Sequence, residues 1–219
     1  APAEQEKMIR VGSRVHRIDA EGKVLGTGKY VDDLDKVDFP EMIYGSAVRS
    51  KYPRAIVKAI HTEKAKALPG VVCVLTADDV PGKNKVGHLK QDWDTMIAVG
   101  DTTRYLGDAI CLVAAETPEI LEQAKALVEV EYEELKPVTC PAEAMEEGAP
   151  LVHSTGNILS HEHLVRGNAD EVIAASKYKV TRHYETPWTE HAFLEPECAV
   201  SMPFDGGVLI YSTDQGTYD

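Results

Sequence analysis

The 219-residue sequence has no run of apolar residues near the length of roughly 20 that a membrane helix requires. Its start, Ala1-Pro-Ala-Glu-Gln-Glu-Lys7, lacks the basic opening and apolar centre of a secretory leader. A cytoplasmic location is therefore the default expectation. Basic residues are also scarce. With 23 Lys and Arg against 36 Asp and Glu, the formal net charge is −13. That balance argues against nucleic acid, whose phosphates are bound by clustered cations that release counterions. Only four cysteines occur, Cys73, Cys111, Cys140 and Cys198, far apart and with no Cys-x-x-Cys pair. Neither a zinc knuckle nor an iron–sulfur loop is encoded, so any electron-carrying cluster must come from elsewhere. All four are expected to be reduced thiols, and Cys73 and Cys111 lie in apolar runs where a free cysteine packs as a small hydrophobe. No Gly-x-Ser-x-Gly elbow is present, and no cysteine has a basic neighbour that would favour the thiolate.

What is present is an ordinary hydrophobic content of 43%, enough for one substantial core or one domain with part of a second. The glycines of Gly22-Lys-Val-Leu-Gly-Thr-Gly-Lys-Tyr30 suggest bends or bulges at a sheet edge. β-Branched and aromatic content predicts strands at residues 42–49 and 55–61, joined by the turn Ser50-Lys-Tyr-Pro53 and paired as neighbours. A short helix over 63–68, capped by Thr62 and ended by Pro69-Gly70, precedes a strand at 71–75. Residues 81–99 are polar and loop-like and read as a surface excursion around Trp93.

Regular structure resumes with a strand at 108–115. Thr117-Pro118 then supplies an N-cap and first helical residue. Ile120, Leu121, Ala124, Leu127 and Val128 recur at helical spacing, laying one helix face on a sheet. A strand at 128–132 alternates apolar residues with glutamates. Residues 137–148 form a connection with one helical turn, and 149–160 a linker, with a domain boundary near residue 155. Asn168 and Glu171 form a candidate capping box for a helix through Ala175. A long strand over 178–186 follows, then a hairpin of 197–202 and 208–213 turned by Pro203-Phe-Asp-Gly-Gly207.

The segment Thr186-Pro-Trp-Thr-Glu-His-Ala-Phe-Leu-Glu-Pro-Glu197 concentrates titratable side chains. On an extended strand His191, Phe193, Glu195 and Glu197 would share one face. Two ligands on one strand fall short of a zinc site, and His161 and His163 read first as solvated linker residues. Asp32-Asp33 and Asp78-Asp79 read as turns or helix starts rather than an acid–base pair. No complete catalytic constellation and no metal site are encoded in these residues.

Several blocks, in order, carry a family resemblance. They are Gly26-Thr-Gly-Lys-Tyr-Val-Asp-Asp33, Ala47-Val-Arg-Ser50 with Pro53-Arg-Ala-Ile56, Pro69-Gly-Val71, Val74-Leu-Thr-Ala-Asp-Asp-Val80, Tyr105-Leu-Gly107, Val113-Ala-Ala-Glu-Thr117 and Val130-Glu-Tyr-Glu-Glu-Leu135. Arg166-Gly-Asn-Ala-Asp170 and Glu190-His-Ala-Phe-Leu-Glu-Pro196 continue the series. Together they resemble the molybdenum-binding large subunit of the xanthine dehydrogenase and aldehyde oxidoreductase family.

The resemblance implies an α+β chain: an α/β-hammerhead domain over 8–150, followed at 160–219 by the first strands of a molybdopterin-binding domain. It implies hydroxylation of a purine, another N-heterocycle or an aldehyde with oxygen from water. Molybdopterin serves that reaction, while [2Fe–2S] clusters and FAD reside on partner domains or subunits. It also implies that the general-base glutamate and most cofactor contacts lie beyond residue 219, leaving these residues inactive alone. Ser212-Thr-Asp-Gln215 resembles a Ser-Thr-Gln strand end near the metal, with one extra residue. Gln215 and Gly216 are therefore the candidate cofactor-binding positions. The alternative is a non-catalytic module that docks iron–sulfur and flavin partners. A swinging-arm carrier would need a lysine at the hairpin tip, which Asp205 to Gly207 does not supply.

Overall fold

The computed structural model describes residues 11–88, 90–214 and 216. Their contacts divide into two compact units: residues up to Met42 together with those from Glu190 onward, and Ile43–Thr189.

In the first unit α1 (Ala20–Leu25) ends where Gly26 adopts φ +71°, and the amides of Thr27 and Gly28 both donate to the Gly22 carbonyl at 2.8 and 2.9 Å. A Cβ on Gly28 would stand 3.2 Å from the Gly22 carbonyl carbon, so a side chain there would press on the backbone that closes the turn. The glycine run is thus a helix terminus and not the sheet-edge bulge expected from sequence. A 3-10 turn, Val31–Asp33, follows.

The unit Ile43–Thr189 is built on β1 (Tyr44–Arg49), β2 (Ala55–His61), α2 (Glu63–Lys66), β3 (Val71–Leu75), β4 (Lys85–Val86), β5 (Trp93–Asp94), β6 (Ala109–Ala115), α3 (Pro118–Leu127), β7 (Glu129–Glu134), α4 (Pro141–Ala144) and α5 (Ala169–Ala175). β6 is the centre of an antiparallel sheet in the order β1-β6-β3. One of its faces is covered along its length, the other only at Ile110, with Leu112 on that second face left exposed. On one face Cys111, Val113 and Ala115 meet Ala65 of α2 and Leu121 and Ala124 of α3. On the other, Ile110 packs with Val57 of β2 and Ile97. The hydroxyl of Thr117 accepts the Ile120 amide at 3.3 Å, and Pro118 opens α3 as the sequence predicts.

β1 and β2 do not pair with each other, contrary to the sequence expectation. Ser50 and Gly107 tie the end of β1 to the start of β6, with Ser50 N to Asp108 O at 2.8 Å and Gly107 N to Ser50 O at 3.1 Å. The chain then passes to a second sheet, where β2 pairs antiparallel with β7. The exposed face of that pair carries cations opposite glutamates: Lys58 with Glu133 at 3.2 Å, His61 with Glu131 at 2.8 Å, and Lys64 of α2 with Glu129 at 2.5 Å. Opposite charges across neighbouring strands favour this pairing.

Residues 81–99 are less of an excursion than their composition suggests. β4 and β5 form a short hairpin. The Asn84 side-chain amide binds the Met96 backbone at both ends, donating to its carbonyl at 2.6 Å and accepting its amide at 3.1 Å. Met96 and Ile97 are buried beneath it.

Two later expectations fail. Asn168 begins α5 without a side-chain cap, so no capping box forms with Glu171. Residues 178–186 form no strand. Each is exposed, and no neighbouring strand among the described residues takes up their backbone donors and acceptors, without which an extended segment gains little. Within the first unit the predicted hairpin does form, as β8 (Ala199–Phe204) and β9 (Gly207–Ser212). Asp205 and Gly206 sit at φ +46° and +74°, the two positive angles of a two-residue turn matched to strand twist.

Candidate functional site

The best-defined candidate lies where β8 and β9 begin and end, beside the segment that follows α1. The hairpin is extended one step past its strands: Cys198 N donates to Thr213 Oγ1 at 3.0 Å, and Thr213 N donates to the Cys198 carbonyl at 3.2 Å. The Thr213 hydroxyl donates in turn to the Pro196 carbonyl at 3.1 Å. Ser212 Oγ donates to Asp214 Oδ2, and the Asp214 amide returns to Ser212 Oγ at 3.4 Å. The extra residue of Ser212-Thr-Asp-Gln215 is therefore absorbed by folding back on its own strand. A shallow cavity of about 290 Å³ is lined here by Glu197, Cys198, Ala199, Ser212, Thr213 and Asp214. Of the two predicted cofactor-binding positions, Gln215 lies outside the described residues, and Gly216 is exposed and belongs to no helix or strand.

The glycine-marked block and the hairpin, remote in sequence, meet in this unit. Asp32 stands against Cys198; burial, reinforced by that carboxylate, pushes the thiol above its ordinary value, so Cys198 stays protonated and weakly nucleophilic. The block is fixed locally: Tyr30 N donates to Asp33 Oδ2 at 2.9 Å, and Lys29 pairs with Asp38 at 2.6 Å. Phe39 and Tyr211 face each other with ring centroids 6.2 Å apart. Sequence reasoning missed the Asp32–Cys198 pair, because nothing in either segment's spacing refers to the other.

The chemistry expected of residues 186–197 is arranged differently. They form no strand, and Ala192 at φ +50° breaks the proposed alternation. His191 and Phe193 nevertheless come together, with stacked rings 5.3 Å apart, and Glu190 Oε1 accepts the His191 amide at 3.0 Å. The His161 and His163 rings are 6.4 Å apart on exposed chain. Among the described residues no group of three or more His, Cys, Asp or Glu could hold a metal ion. Asp33 and Asp79 cap 3-10 turns, the latter accepting from Thr76 N at 2.8 Å, in keeping with their reading as turn residues. All four cysteines are free, and burial pushes the Cys111 thiol up to about 11.

A second feature, within Ile43–Thr189, was not anticipated. Asp94, whose side chain is 6% exposed, accepts from Lys85 Nζ at 2.5 Å and from the Arg104 guanidinium. Burial alone would raise its pKa, but the two cations outweigh burial and hold the carboxyl below its usual range. Asp108, also buried, behaves oppositely. Burial raises its pKa even though its carboxylate accepts the Arg104 amide at 3.0 Å. The apolar run Met96-Ile97-Ala98-Val99 just after Asp94 was the available signal that this polar stretch folds inward.

The family model for "Aldehyde oxidase and xanthine dehydrogenase, a/b hammerhead domain" matches residues 25–136. A probable xanthine dehydrogenase subunit of Bacillus subtilis (strain 168) is 41% identical over 96% of this chain and 28% of its own length. The nicotinate dehydrogenase large molybdopterin subunit of Eubacterium barkeri is 35% identical over 95% of this chain and 48% of its own length. Among solved structures, the aldehyde oxidoreductase from Desulfovibrio gigas superposes with a TM-score of 0.81 at 27% identity, covering 90% of this chain and 23% of that one. The quinoline 2-oxidoreductase from Pseudomonas putida 86 gives a TM-score of 0.80 at 26% identity over 93% of this chain and 27% of that one. The chain thus spans about a quarter to a half of these four relatives. With the hammerhead match covering more than half of its residues and the α+β sheets in place, the chain belongs to the aldehyde oxidase and xanthine dehydrogenase family of molybdopterin oxidoreductases.

Proposed function

We propose that the whole protein containing this chain is a xanthine dehydrogenase-like molybdenum hydroxylase, which oxidatively hydroxylates a purine, another N-heterocycle or an aldehyde with water as the oxygen source. The observation that carries this reading is the 41% identity, over 96% of the chain, to a protein named as a probable xanthine dehydrogenase component. Within it, residues 8–150 act as the hammerhead domain and 160–219 as the opening of the molybdopterin-binding domain. Molybdopterin would supply the redox chemistry at the reacting carbon, while [2Fe–2S] and FAD on partner domains or subunits would carry electrons away. A cytoplasmic location belongs to the same proposal; among the described residues no helix is long and apolar enough to cross a membrane.

These residues alone do not make a pterin site. Among the described residues the cavity at the hairpin end is lined by the carboxylates of Glu197 and Asp214 and by no cation, a poor environment for the cofactor's phosphate. Its contribution is positional: the Thr213–Cys198 and Ser212–Asp214 bonds hold the end of β9, the residues that precede Gln215 and Gly216 in sequence. We assign those two residues to the cofactor's surroundings and the base glutamate to residues outside this sequence, so the 219 residues by themselves turn over no substrate.

Metal and pterin analysis of the full-length protein, with oxidation assays on hypoxanthine, nicotinate and a simple aldehyde, tests the proposal. Molybdenum with pterin and turnover of one of the three is the expected result. A metal-free, inactive protein would overturn it in favour of a docking module.

A further inference from the structure

A cavity of about 420 Å³ lies wholly within Ile43–Thr189. Its lining mixes two chemistries. It includes Arg54, Lys85 and Arg104, and also the apolar Pro137, Val138, Leu151 and Val152 from the connection after β7. Asp94, Asp101 and His153 also line it.

The cations are held in place and not exhausted. Arg104 and Lys85 converge on one buried carboxylate, Asp94, which can neutralise only one of them. Arg54 donates one N–H to the Lys136 carbonyl at 3.0 Å, a neutral acceptor, leaving the rest of its five-donor fork. The same bond ties Arg54 to the start of the connection that carries the apolar lining. Three permanent cations therefore face two carboxylates, and Asp101, the second, is exposed. In a chain of net charge −13, a local excess of positive charge runs against the surrounding field.

We propose that this cavity binds a small organic carboxylate, with its head on Arg54 and the Arg104–Lys85 pair and its apolar body against Val138, Leu151 and Val152. The proposal does not depend on the hydroxylase reading above. Guanidinium groups suit the carboxylate through paired N–H donors, while burial of the body supplies affinity that a bare anion lacks.

The test is an amide NMR titration of this chain with benzoate, acetate and benzyl alcohol. Benzoate is expected to shift the amides of Arg54, Arg104, Val138 and Val152 and to bind roughly tenfold more tightly than acetate or benzyl alcohol, each of which supplies only half of the interaction. Arg54→Gln should weaken benzoate roughly tenfold, and Lys85→Gln should weaken it less, the spectra without benzoate confirming that each variant is folded. Asp101→Asn should tighten benzoate, because it removes the exposed opposing charge; weakening would indicate a cation site instead. Benzoate affinity equal to that of acetate, shifts elsewhere only, or no loss in either Arg54→Gln or Lys85→Gln would overturn the proposal.

Discussion

Every buried residue among those described lies between Ser50 and Ala124, whereas from residue 158 onward none is buried. The later stretch is not short of apolar side chains. Val172, Ile173, Tyr178, Val180, Tyr184, Trp188, Phe193 and Leu194 are each well over half exposed. The two regions thus differ in partners and not in composition. Residues 44–134 bury one face of β6 and part of the other, while residues 158–194 bury none of their comparable side chains among the described residues. Hydrophobic residues stabilise a fold only where topology returns a second surface to them.

The largest effect that would break this contrast comes from cutting the core. Ile110→Ala, at a fully buried position between Val57 and Ile97, should cost about 2–4 kcal/mol in chemical denaturation. Trp188→Ala, with a fully exposed ring, should cost less than about 0.5 kcal/mol. Equal costs would show that the second region has a core of its own.

Next comes the polar clamp. Asp94→Ala should destabilise by about 1–3 kcal/mol, since it strands Arg104 and Lys85 beside a near-buried site. The folded pKa of Asp94 is lowered, so its contribution is present above the ordinary carboxylate value near 3.8 and disappears as pH falls through the lower folded value. Asp108 has the opposite sign: its raised pKa favours folding at low pH, and that contribution fades as pH rises through the folded value. Asp108→Asn keeps an acceptor for the Arg104 amide while removing the buried charge. It should raise the melting temperature at neutral pH and leave acid stability nearly unchanged.

The smallest effect belongs to the exposed ladder on β2 and β7. The hydrogen bond that His61 donates to the Glu131 carboxylate raises the His61 pKa, so the pair's slight stabilisation is present below the ordinary histidine value and lost as pH rises through the folded one. An NMR titration of His61 should show the elevated value, and Glu131→Gln should return it toward the ordinary one. Global stability should barely respond, as expected of an exposed pair.

The readability of the sequence follows the same division. The strands at 44–49, 55–61, 71–75 and 109–115 and the helix from Pro118 were legible because their β-branched runs, Thr-Pro start and helical spacing are local signals. Which strands pair was not: the exchange of β1 and β2 between sheets depends on contacts such as Ser50 with Asp108, far apart in sequence. The failure at 178–186 has a related cause. Its pattern suits a strand, but a strand exists only with a partner. At the candidate site the hairpin and its tight turn were readable, whereas the approach of Asp32 to Cys198 and the clamp on Asp94 were not, being products of tertiary packing.

Hydrogen exchange across the 219-residue chain tests the central contrast most directly. Slow exchange is expected for the amides of β6 and of the strands and α3 around it, with exchange near the unprotected rate through residues 158–194. Comparable protection in that later stretch would contradict the account, because it would require a core that the described residues do not contain.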